Sequence, residues 1–425
     1  MRIKAAGLSP NINKQRERDI LDVYSKQEVD AGNQGLSVRP TISSDFEKNE
    51  HKLYEQYGLE PKTITQMYDV VRASTATYVD ATGKIRTAGV NEPRIDYSSG
   101  QGRLLVEEQR TNVLLHSDNL ASASWDKSGT TGVSIVERSP IVIGSPVHQV
   151  NMDNDVAFPL RQNLNVGVIP AGTVYSSRVY LKAVDSSDVG KNIVVQLRRG
   201  LGDFERSQIT HTLTNYWTPV DVIHIFQNEP TDLNFELVPA ESNTTDKFLY
   251  QAGQVEVGST PSSYIPTEAS AVTRAADNVS RVLGDEFNTS GEGAVYFEVD
   301  KWPAAGSSKR FMSIGVLDSF LDRIVVRGAG TSWLIQDSGS SPSPAFIEGQ
   351  PYKVLYKWDG LSFKAFANGL KVMDITLISP FINATNIQFN RGQGVQQTPP
   401  SLAVGGYRYY PKSLSDQECI ELTKV

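Results

Sequence analysis

Cysteine is almost missing from this chain: Cys419 is the only one in 425 residues. One thiol cannot close an internal disulfide, and it excludes a structural zinc site built from several thiolates. Histidine is scarce as well. The five (His51, His116, His148, His211, His224) are scattered, and none adjoins a nucleophile motif such as Gly-x-Ser-x-Gly. No run approaches 18 consecutive apolar residues, and the opening MRIKAAGLSPNINKQRERD has no apolar h-region. The expectation is a chain without signal peptide or membrane span, folded in the cytoplasm where it is made. Positive charge is not in excess either, since 41 Lys and Arg face 48 Asp and Glu for a net charge of −7. Polyanion binding draws on counterion release by clustered cations, so neither nucleic acid nor an anionic membrane is an expected partner. GVNEPR and SGQGR are the nearest approach to a phosphate-binding glycine loop, and both lack the strand-loop-helix setting.

What is present is an ordinary globular composition, 39% hydrophobic and 21% charged, with 33 Gly and 21 Pro along the chain. That length suggests two or three domains, each able to bury a core. Residues 1–71 carry dense mixed charge, and 14–26 and 43–57 read as short helices, the second capped by Ser44 or Asp45. Their apolar faces are too sparse to stand alone, so this stretch reads as an arm that packs on a neighbouring domain or subunit. Beyond residue 72 the texture is short runs of Val, Ile, Thr, Tyr and Phe punctuated by Gly, Pro, Asn or Asp, which predicts antiparallel β-sandwiches.

Residues 72–116 read as a connector laid over another surface, 117–282 as one sandwich and 283–425 as a second. In LNFELV, Leu233, Phe235 and Leu237 share one face, as a half-buried strand requires. KVLYKWDGLSFKAFANGLKVMDI predicts a three-stranded meander turning at Asp359-Gly360 and Asn368-Gly369. Ser415 is placed to cap a last helical turn through Leu422.

Four segments carry a resemblance. Arg72 to Tyr78, Asn91 to Asp96, Gly102 to Glu107 and Thr111 to Leu115, followed by Trp125, are similar to the connector of tailed-bacteriophage virion and tail-appendage proteins. QVEVGSTPSSYIPTEASAVTRAADNVS at 254–280 resembles the end of the carbohydrate-binding-module-like jelly roll that follows it in that family. Residues 290–425 resemble its concanavalin A-like, laminin G-like sandwich, through Trp358-Asp359-Gly360, Asn368-Gly369 and Tyr409-x-x-x-x-Leu414-Ser415-Asp416. The resemblance implies a mainly β chain with a jelly roll and then a concanavalin A/laminin G-like sandwich after a short, partly helical N-terminal arm. It also implies a homotrimeric virion protein, attached to other virion proteins through residues 1–71 and contacting host-surface glycan as a tail fibre or receptor-binding appendage. The alternative is a capsid or tail decoration protein with no host ligand.

Site chemistry is thinner than the fold signal. Glu298-Val299-Asp300 offers two acids at the spacing of a glycosidase strand, but Trp302 and Pro303 stand where a third would be needed, so no enzyme is expected. Aromatic rings suit sugar recognition, and Tyr216, Trp217 and Trp333 are the candidate ligand-binding residues. Trp125, Trp358, Tyr407, Tyr409 and Tyr410 read as packing residues. No cofactor is expected; the oxygen-rich NMDND at 151–155 is the one place where a structural calcium was weighed against an Asp/Asn turn.

Overall fold

The computed structural model describes residues 36–425 except 56–57, 138, 153–158, 200–204, 228–231, 241–246, 301–309, 316–322, 328–333, 336–346, 348–349, 378–379 and 390–401. Almost all regular structure is antiparallel strand. The chain forms two compact units. One takes residues 71–100 and 107–277; the other takes residues up to Val70, 101–106 and 278–425. Residues 72–116 are thus shared between the two units.

In the first unit a five-stranded sheet runs Thr130–Val136, Val147–Met152, Lys247–Val257, Val174–Ala183, Thr218–Ile225 in spatial order. A four-stranded sheet runs Leu160–Leu164, Leu233–Pro239, Asn192–Arg199, Arg206–Thr212. Strand alternation builds the core between them. Val179 and Leu181 from one sheet meet Leu233, Phe235 and Leu237 from the other, all fully buried. Trp125 packs edge-on against Phe235 and Tyr250, with ring centroids 6.2 and 5.8 Å away. Gly253 is required beneath Tyr250, because a Cβ there would sit 2.0 Å from the tyrosine oxygen.

The outer face of the five-stranded sheet is polar yet covered. Gln251 accepts from the backbone N–H of Ile141 at 2.7 Å, Gln254 from that of Ile265 at 2.6 Å, and Glu256 from the Ser262 hydroxyl at 2.8 Å. A hairpin of Ala76–Val79 and Ile85–Ala88 adds Ile85 to a small cluster with Ile141, Val142, Ala252 and Tyr264. Buried amides and a carboxyl are tolerable there because the covering loops satisfy them.

The same unit holds a buried ion network. Arg94 donates to Glu107 at 2.8 Å and also to Asp277, Arg72 pairs with Asp277 at 2.8 Å, and Arg274 lies 3.5 Å from Glu107. Burial works against ionising Glu107, but Arg274 and Arg94 hold its carboxyl down at about 2.

In the second unit one sheet runs Leu370–Thr376, Ser362–Ala367, Tyr352–Asp359, Glu292–Val299, Leu402–Tyr410, Ile42–Asp45, Glu50–Glu55, Gly58–Lys62. Arg103–Val106 pairs with the start of Leu402–Tyr410, along the edge that Ile42–Asp45 pairs with further on. The other sheet includes Arg323–Arg327, Arg310–Gly315, Asn386–Phe389 and Asn278–Val282 in spatial order. Phe389 meets Tyr407 edge-on at 5.6 Å, and Trp358 lies at full burial against Phe381 and Tyr409. The predicted meander forms, with Gly360, Asn368 and Gly369 all at positive φ in its turns. Ser415 caps the helix Asp416–Thr423, its hydroxyl accepting from the Glu418 N–H at 3.2 Å.

One expectation is corrected. Of the helix expected at 43–57, the described residues 43–55 form none; Ile42–Asp45 and Glu50–Glu55 are strands of a hairpin whose first arm pairs with Tyr407 and Tyr409. Helix propensity loses here to backbone pairing and to burial of Ile42 and Phe46. Helix does occur close by, as the single turn Ile64–Met67. The expected helix at 14–26 lies outside the described residues.

Candidate functional site

A cleft of about 410 Å³ opens in the second unit. Its floor is the Leu402–Tyr410 strand at Gly405-Gly406. Neighbouring strands supply the walls: Glu298 and Val299 from Glu292–Val299, Arg103 from Arg103–Val106, Ser44 and Asp45 from Ile42–Asp45, and Tyr352 and Lys353 from Tyr352–Asp359. Asp300 follows directly on the Glu292–Val299 strand. The sequence makes this concavity by putting two glycines side by side in a central strand. A Cβ on Gly405 would stand 3.0 Å from the Arg103 guanidinium and 3.1 Å from Glu298 Oε2, and one on Gly406 would stand 3.7 Å from Glu298 Oε1.

The lining is charged and internally paired. Arg103 donates through Nε to Asp300 and through Nη2 to Gln101, and Nη1 lies 3.7 Å from Glu47. Tyr296 donates its hydroxyl proton to Glu298 Oε1. Burial, followed by the Glu298 carboxylate, pushes the Tyr296 phenol far above its ordinary value. The Arg408 guanidinium lies 5.1 Å over the Tyr296 ring. Burial alone would lower Arg408, but Tyr410, Tyr296 and Glu298 hold it above its ordinary value. Asp300 Oδ2 is buried without a hydrogen-bond donor among the described residues.

The two acids singled out from sequence, Glu298 and Asp300, therefore line one cleft, while Trp302 and Pro303 lie outside the described residues. Sequence reasoning missed Arg103, Tyr352, Lys353 and Arg408. The signal available for them was the Gly405-Gly406 pair inside an otherwise bulky strand.

The aromatic candidates are dispersed. Tyr216 is 63% exposed in the turn before Thr218–Ile225. Trp217, next to it, is half-buried, packs on the cluster around Ile85 and Tyr264, and donates its indole N–H to the Ser139 carbonyl at 3.0 Å. Trp333 lies outside the described residues. His224 shares a 3.0 Å hydrogen bond with Ser207 and lies edge-on to Phe226, and burial lowers both His211 and His224. No group of three or more His, Cys, Asp or Glu is placed to hold a metal among the described residues. In the weighed calcium segment, 153–155 fall outside them.

No family model and no curated protein matches the chain. Solved structures align with it at low similarity. They include a Ruminococcus gnavus IT-sialidase CBM40 bound to α2,3 sialyllactose, 16% identical over 31% of this chain and 82% of that one, TM-score 0.25. The CBM22 tandem of Paenibacillus barcinonensis Xyn10C is 12% identical over 70% and 97%, TM-score 0.28. Trypanosoma rangeli sialidase with sialic acid is 9% identical over 92% and 98%, TM-score 0.28. Scores of this size fall well short of a shared fold.

Proposed function

We propose that this chain is a structural, non-enzymatic virion protein of a tailed bacteriophage, a tail fibre or receptor-binding appendage that holds host-surface glycan in the Glu298 cleft. The observation that carries the glycan reading is the composition of that cleft. The Glu298 and Asp300 carboxylates, the Arg103 and Arg408 guanidinium groups and the Gln101 amide together line about 410 Å³. Charged hydrogen-bonding groups of both signs in one concavity suit the several hydroxyls of a pyranose. The volume is that of a small-ligand site.

Placement on a virion is supported by the connector resemblance at Arg72 to Leu115. By that analogy residues 1–71 attach to other virion proteins and the chain is a homotrimer. Weak single sites then add up through multivalency. Two measurements test the reading. Full-length protein on a glycan array is expected to give a signal that Glu298→Ala removes. Immunogold with antibody to residues 290–425 is expected to decorate tail tips or fibres; gold spread over the head would leave the decoration-protein reading in its place.

A further inference from the structure

Resting on that glycan reading, we infer that the sugar held in the cleft is uncharged, a neutral or N-acetylated hexose whose hydroxyl donates to Glu298, and that sialic and uronic acids are rejected. Three of the four cleft cations, Arg103, Lys353 and Lys48, hold polar partners, and the fourth, Arg408, is stacked on a ring. Arg103 gives Nε to Asp300, Nη2 to Gln101 and Nη1 to the Gly102 carbonyl at 3.3 Å. Lys353 donates to the Lys424 carbonyl at 3.1 Å, Lys48 pairs with Asp45 at 3.4 Å, and Arg408 lies over the Tyr296 ring. No fork of paired N–H groups is left at Arg103 for a ligand carboxylate.

The acceptors tell the opposite story. Glu298 Oε1 takes the Tyr296 proton, while Oε2 stands over Gly405 and accepts no hydrogen bond from a described residue. Asp300 adds a second carboxylate, whose buried Oδ2 accepts from no described residue. A ligand hydroxyl gains a charge-assisted bond at Glu298. A ligand carboxylate meets two like charges, and to reach Arg103 it must break that guanidinium away from its partners.

The test uses full-length protein and a panel of methyl glycosides: glucose, galactose, mannose, N-acetylglucosamine and N-acetylgalactosamine against glucuronic acid and N-acetylneuraminic acid. Binding is read by saturation-transfer NMR and by calorimetry. At least one neutral glycoside is expected to bind with both acids silent, and Glu298→Gln, checked for an unchanged near-UV spectrum, is expected to weaken it about tenfold. Binding led by either acid overturns the inference and leaves the glycan reading standing. A neutral sugar whose affinity Glu298→Gln leaves untouched overturns the role of Glu298. Silence across the whole panel overturns the glycan reading itself.

Discussion

Arg72 and Asp277 stand 205 residues apart in sequence and meet in a 2.8 Å ion pair with side chains 0% and 2% exposed. Asp277 also receives Arg94 and the Glu107 N–H, so one carboxylate ties the start of its unit to its end. Asp277→Ala leaves the buried Arg72 guanidinium without a carboxylate and takes from Arg94 one of its two, and it is expected to cost about 3–5 kcal/mol. Chemical denaturation checks this; a loss under 1 kcal/mol would show that water relieves the arginines.

Two buried groups, one in each unit, respond oppositely to acid. Burial raises Glu256 to about 7, above its unfolded value of 4.5, so folding favours the protonated form. Its contribution is complete below pH 4.5 and is lost as pH rises through 7, by on the order of 3 kcal/mol. His51 runs the other way: burial lowers it to about 4 from 6.5, so its unit is stable above pH 6.5 and weakens as pH falls towards 4. His211 and His224, lowered by burial in the Glu256 unit, share the sign of His51, so calorimetry isolates Glu256 by difference: the stability of the parent minus that of Glu256→Gln should fall as pH rises from 4.5 to 7. A difference that stays constant across that range would remove Glu256 as a cause.

Gly293 lies under Trp358, where a Cβ would meet the indole at 2.5 Å. Gly293→Ala overpacks a fully buried ring and is expected to lower stability by about 1–3 kcal/mol. An unaltered unfolding midpoint would mean that Trp358 moves freely enough to yield.

Asp300→Asn removes the anion that engages Arg103 Nε. The variant is expected to gain measurable affinity for glucuronic acid or N-acetylneuraminic acid, at least threefold over the parent, in the same calorimetric panel. No gain would show that Gln101 and Glu47 alone keep Arg103 occupied.

Much of the fold was legible because its signals are local. Alternation at Leu233, Phe235 and Leu237, the glycine turns of the meander and the Ser415 cap all act within a few residues. The 43–57 hairpin was not, since its charged surface satisfies helix propensity and its strand partners, Tyr407 and Tyr409, are remote in sequence. The cleft was half legible. Glu298 and Asp300 fall two apart on the chain, but the arginine that Asp300 holds comes from 197 residues before it, a distance no spacing rule spans.

Residues 101–106 and 278–425 belong to one unit although 107–277 fold separately. The cleft is therefore encoded by three separated stretches of sequence. A single recombination event after residue 277 would deliver Glu298, Tyr352 and Gly405 to a new host chain while leaving behind Arg103 and the strand Ile42–Asp45. Inheritance of this site by module exchange requires the leading stretch to travel with it.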